Sequence, residues 1–206
     1  MLCLGFVQLT QPARAADIGQ FSVERAEDGI YLSANVRFDL PSVVEDALLK
    51  GIPLFFVAEV NLYESRWYWT DKRVSSAART IRLAYQPLTR AWRVNIVNGV
   101  VQGSSGLRAT LNQNYDSLAD ALSASRRLSR WRVADNADVE PDVSYKMEFS
   151  YSLDLSQLPR PFQIGVVGQK DWTIAVQRAD RVQLGSFRSI ADKSKGASPP
   201  SKEAEK

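Results

Sequence analysis

Asp39–Thr70 reads DLPSVVEDALLKGIPLFFVAEVNLYESRWYWT, and it decides the fold because it joins a short helix, a long apolar run and the densest group of aromatic residues. Asp39 is an N-cap candidate two residues before Pro41, which a first helical turn tolerates. Leu40, Val43, Val44, Ala47 and Leu48 then recur at helical spacing until Gly51, which predicts an amphipathic helix over Pro41 to Lys50. From Ile52 to Trp69 the composition is that of a strand, yet at ~3.3 Å per residue the run would reach roughly 60 Å, far beyond an ordinary strand. It has to bend or change sheets. Leu54, Phe56, Ala58, Val60 and Leu62 form one apolar face, with Glu59, Asn61, Tyr63 and Ser65 on the other. Past Glu64 the alternation slips and puts Trp67 and Trp69 on the polar side; a bulge between Glu64 and Arg66 would return both to the core.

Working outward, Ile18 to Arg25 and Ile30 to Phe38 alternate on either side of an Ala-Glu-Asp-Gly turn, a β-hairpin signature. Downstream, Asp71 to Ser76 reads as a polar turn, and Thr80–Tyr85 with Ala91–Val97 as a second hairpin. A short strand is expected over Leu107 to Leu111. Ser117 and Asp120 resemble a capping box at the start of a second helix, Leu118 to Leu128. Val143 to Leu153 alternates almost without error, as a sheet strand with one wet face does. Phe162 to Val167, Trp172 to Gln177 and Val182 to Phe187 are the last strand candidates. Many short strands with two short helices predict a mainly β fold, an antiparallel β-sandwich or half-open barrel.

The chain of 206 residues suits one buried domain with tails. Leu2 to Leu9, followed by Ala13 and Ala15, resembles the apolar core and cleavage site of a secretory signal. The expected organisation is a signal peptide over 1–15 that is cut short at its basic end, a single β-sandwich domain over 16–190, and a disordered Lys-, Ser-, Pro- and Glu-rich tail over 191–206. The expected location is the periplasm. A net charge of +3 is too small to argue for nucleic acid as partner.

The chain has no histidine, and its one cysteine, Cys3, lies in the signal-like segment. Ser-His and Cys-His nucleophiles and imidazole or thiolate metal sites are thereby excluded from the domain. No catalytic residue, metal or cofactor is expected. A carboxylate pair remains conceivable, with Glu59 and Glu64 as its candidates and an envelope polysaccharide as substrate. Candidate binding residues are Glu64, Arg66, Trp67, Tyr68, Trp69, Arg82, Arg93 and Arg130. The four arginines are expected as a basic stripe on one sheet face, able to meet an acidic protein surface or an anionic membrane surface in peripheral contact. The aromatic triplet is either core or a stacking surface.

The block FDLPSVVEDALLKGIPLFFVAEVNLYESRWYWTDKRV, then RTIRLAYQPLTRAWRV, LPRPFQIG and a later DW, resembles a family of exported proteobacterial proteins classed as a domain of unknown function, DUF4390. That resemblance covers about Phe21 to Trp172. It implies an envelope location and a gene position often beside a membrane sensor histidine kinase. The expectation is therefore a non-enzymatic periplasmic binding or accessory protein, with a membrane sensor kinase or other envelope protein as partner. The alternatives are a carboxylate-dependent enzyme on envelope polysaccharide and a carrier of an apolar ligand between the sheets.

Overall fold

A computed structural model describes residues 16–66, 70–99, 111–140, 143–166 and 169–184. Among the described residues, nine strands form two antiparallel sheets. The narrow one has the order β1-β2-β7 (Asp17–Ala26, Gly29–Arg37, Arg127–Ala134). The wide one runs β6-β5-β4-β3-β8-β9 (Leu111–Tyr115, Ala91–Asn98, Lys72–Gln86, Leu54–Glu64, Ser144–Leu153, Ala175–Gln183). The sheets pack face to face as a sandwich, and no strand pairing joins them among the described residues. Side chains bridge both margins instead. Ser75 Oγ donates to the Val133 carbonyl at 2.6 Å, and Arg178 lies 4.8 Å above the Phe21 ring.

The core follows from period-2 alternation. Leu54, Phe56, Ala58, Val60 and Leu62 of β3 are all buried on one face, as are Tyr145, Met147, Phe149, Tyr151 and Leu153 of β8. The register places these rows side by side, Phe56 against Leu153 and Leu62 against Met147. Ile30, Leu32, Ala34 and Val36 of β2 with Leu128, Trp131 and Val133 of β7 supply the opposing layer. Phe56 and Tyr151 stack at 5.6 Å, and Phe38 closes that end at 5.4 Å from Phe56.

The first helix, α1 (Ser42–Leu49), buries Val44, Ala47 and Leu48, as its spacing requires. Asp39 is not its cap: Pro41 occupies the N-cap position, with no side-chain bond there. The C-terminus is a Schellman motif, in which Gly51 N–H reaches the Leu48 carbonyl (2.8 Å), Ile52 N–H reaches that of Ala47 (3.0 Å), and Gly51 takes φ +83. The second helix, α2 (Leu118–Arg126), starts with Ser117 Oγ accepting from Asp120 N–H at 3.1 Å. It is shorter than its spacing suggested, because the chain turns extended at Arg127 and enters β7 directly.

Several expectations are corrected. Lys72 already belongs to β4, so Asp71 to Ser76 is not a turn; its polar residues pair with the distal half of β3. The expected strand over Phe162 to Val167 is a helix as far as it is described: Arg160–Val166 forms a third short helix, α3, whose backbone bonds return to Pro159, and Val167 lies outside the described residues. Of the last two strand candidates, Trp172 to Gln177 and Val182 to Phe187, residues 175–177 and 182–183 fall on one strand, β9, after a 3-10 turn at Lys170–Trp172, and residues 185–187 lie outside the described residues. Of the expected Leu107–Leu111 strand, only Leu111 is described, as the first residue of β6. The segments 1–15 and 191–206 lie outside the described residues.

β3 has no bulge up to Glu64, where it ends; Trp67 and Trp69, which the expected bulge was to return to the core, lie outside the described residues. β3 pairs with β8 without a break to Glu64, and the one irregularity beside it is an extra residue, Val74, on β4. A bulge that brings a tryptophan to the core occurs on β7. There Leu32 opposes Trp131 while Ala34 opposes Leu128, so the intervening β7 residues include one more than the partner strand provides. Arg130 absorbs it at φ 41, and Leu128 and Trp131, three apart, both reach the core.

Candidate functional site

The antiparallel register places Arg82 of β4 opposite Asn95 of β5, and Arg93 opposite Ala84. The two guanidiniums are therefore diagonal neighbours on the outward face of the wide sheet. Arg82 Nη1 donates to Asn95 Oδ1 at 3.4 Å, and the Asn95 amide donates in turn to Asn112 Oδ1. Arg93 Nε donates to Asn114 Oδ1 at 3.2 Å. Both arginines are half-buried, and neither has a carboxylate partner among the described residues. Burial, and secondarily the neighbouring Arg93 charge, pushes the Arg82 guanidinium down from its ordinary value. Phe55, on the same face, sits 5.9 Å beneath Arg82 and is itself buried.

The expected four-arginine stripe does not form. Arg130 lies on the narrow sheet, where its bulge aims the guanidinium over Tyr31 at 5.0 Å. Arg66 lies past the end of β3 and pairs with Glu64 at 3.7 Å. Arg66, Arg93 and Arg130 each stand next to a tryptophan in the chain and Arg82 does not; neighbours in sequence leave open which sheet carries each arginine, so the grouping needed the topology. Trp67, Tyr68 and Trp69 lie outside the described residues.

The Glu59–Glu64 pair also comes apart. Five positions along one strand put the two on opposite faces, roughly 17 Å apart along the chain, whereas glycosidase carboxylates stand about 5–9.5 Å apart across a shared cleft. Glu59 is exposed, and Glu64 is taken up by Arg66. Between the sheets, Trp131, Tyr145, Tyr151, Phe56 and Phe149 are buried. Among the described residues, no group of three or more Asp, Glu, Cys or His side chains converges to hold a metal, and no helix is long and apolar enough to cross a membrane.

One charged residue missed by sequence reasoning faces inward. Arg79 precedes Ile81 and Leu83 on the same side of β4 and opposes the buried Ala58. Extending the alternation of Thr80–Tyr85 back by two residues would have found it. Its Nε donates to Asn98 Oδ1 at 3.3 Å, and its guanidinium lies 5.0 Å from the Trp131 ring. Burial pushes it down to about 10, which leaves it cationic at neutral pH. It lines a cleft of about 570 Å³ together with Ile96, Leu111, Tyr115, Asp120 and Arg127.

The family model for the domain of unknown function DUF4390 matches residues 13–181. The chain belongs to this family. No curated protein and no solved structure matches it. The match spans every described strand but the last residues of β9, and it starts past the apolar run Leu2 to Leu9.

Proposed function

We propose that this DUF4390 protein is a non-enzymatic accessory protein of the periplasm, which binds an acidic segment of a membrane sensor kinase through the outward face of its wide sheet. The observation that carries the reading is the Arg82–Arg93 pair. Two like charges held side by side in partial burial repel each other, and their asparagine partners supply dipoles but no counter-charge. An acidic partner removes that cost, and guanidinium forks suit carboxylates in particular. Asn95, Asn112 and Asn114 around the arginines supply further amide groups for polar contact, as interface rims do. The kinase as partner rests on the gene neighbourhood that the family resemblance implies. Export rests on the signal-like Leu2 to Ala15, most of which precedes the family match.

The test is capture from solubilised membranes of the source cells with the wild-type chain and with the Arg82→Ala/Arg93→Ala variant. A sensor kinase retained by the first and lost by the second supports the reading. Equal capture by both places the contact elsewhere. Capture of anionic lipid in place of protein would mean that the face meets membrane headgroups. N-terminal sequencing of periplasmic protein should begin at Ala16, and a start before Ala13 contradicts export by cleavage.

A further inference from the structure

The wide sheet outreaches the narrow one. Beyond β7, the inward faces of β5 and β6 meet α2 instead of a strand, and the gap between them is the Arg79 cleft. Arg79 stands at the inner end of that gap. Trp131 covers one face of its guanidinium, Asn98 takes Nε, and the two terminal nitrogens make no hydrogen bond to any described residue. A planar cation so placed, with two donors side by side, matches a carboxylate bidentately. Arg127 adds a second positive charge at the rim. Asp120 subtracts one, and it is already engaged by Ser117 Oγ, which donates to its Oδ2 at 2.6 Å. The lining thus carries a net charge suited to a single anionic group. Ile96, Leu111 and Tyr115, which the pairing of β5 with β6 and with β4 sets on the inward side, form a mainly apolar wall beyond the cation, interrupted by Gln113, whose Oε1 accepts from the Tyr115 hydroxyl at 2.6 Å. The volume lies within the range of small-molecule sites.

We propose that this cleft binds an organic monocarboxylate with an apolar body, its carboxylate held by Arg79 and its body laid against Ile96, Leu111 and Tyr115. The site is separate from the Arg82–Arg93 face, which points to the other side of the same sheet. No bond is made or broken in it; the chemistry is recognition alone.

The test is calorimetric titration of the full chain with octanoate, octan-1-ol and octyl phosphate, together with the indole N–H resonance of Trp131, which reports on the neighbouring guanidinium. Octanoate is expected to bind, to move the Trp131 resonance, and to exceed octanol in affinity by about tenfold or more. Arg79→Gln abolishes that preference. Arg79→Lys, which keeps the charge and loses the fork, weakens octanoate and decides the matter should the glutamine variant not fold. A free acid and the C-terminus of a peptide share this chemistry; an N-acetylated trileucine and its C-terminal amide, run alongside, tell the two sources apart. The proposal is overturned if octanoate fails to bind, if octanol or the peptide amide binds as well as its acid, if octyl phosphate binds more tightly than octanoate, or if Arg79→Lys binds octanoate as the wild type does.

Discussion

Tyr151 ties the core to the helix that walls the cleft, and its removal has a pH signature. Its ring is fully buried and stacked on Phe56, and its hydroxyl donates to the Ser125 carbonyl of α2 at 3.1 Å. Tyr151→Phe keeps the packing and deletes the donor, leaving a buried carbonyl short of a partner. The expected cost is about 1–1.5 kcal/mol at pH 8. Burial raises the phenol well above its ordinary value of 10.0, and the Arg126 charge offsets this only in part. The folded state therefore keeps the proton while the unfolded chain releases it above pH 10, so the unfolded state binds fewer protons there and stability falls as pH rises. The loss approaches about 1.4 kcal/mol per pH unit. The wild-type advantage over Tyr151→Phe should shrink from pH 10 upward and vanish near about pH 11. Urea unfolding followed by circular dichroism at a series of pH values gives the difference directly. Ionisation of the remaining tyrosines and lysines is common to both chains. A difference that stays constant from pH 8 to pH 11 would refute the buried, neutral phenol and its bond to α2.

Gly51→Ala should cost about 1 kcal/mol in urea melts. An added Cβ meets nothing within 4 Å, so the whole loss is conformational, and a neutral result would contradict the left-handed C-terminal turn of α1. Ser117→Ala removes the α2 cap and should cost about 1 kcal/mol, read from the thermal midpoint; an unchanged midpoint would mean that α2 does not depend on that bond. Changing Glu59 and Glu64 together to glutamine should alter stability by no more than about 0.5 kcal/mol, since one is exposed and the other forms a surface pair. A loss beyond about 2 kcal/mol would place one of them in a buried network.

Periodicity was most informative where a strand has one wet face. The β3 and β8 rows came straight from alternation, because a one-residue slip in either strand would have turned its five core side chains outward. α1 was equally legible from its stripe and Gly51. Helix α3 was not: Arg160–Val166 offers one turn of apolar residues beside two prolines, too short for a 3.6-residue period to separate from a strand. β7 was hidden for a different reason. It follows α2 without a connecting loop, and its bulge at Arg130 breaks the period that would have announced it. For the candidate site, the sequence supplied residues and withheld their grouping. Arg82 and Arg93 come together through an eleven-residue hairpin separation that can be read from the chain, whereas Arg66 and Arg130 are separated by a sheet assignment made only by long-range packing. Arg79 shows the converse. Its inward position was implicit in the parity of Ile81 and Leu83, but its meaning required Trp131, from the other sheet, and α2 above β6.

The central claim is that the Arg82–Arg93 face receives an acidic partner, and the most direct measurement is the affinity of the purified chain for the extracytoplasmic part of the captured kinase as ionic strength is raised. Because screening weakens exposed charge pairs within about a Debye length, affinity should fall steadily with salt for the wild type, and Arg82→Ala/Arg93→Ala should bind weakly at low salt with a much flatter dependence. Wild-type binding that is indifferent to salt, or a double variant that binds with the same affinity and the same salt dependence, would contradict the account.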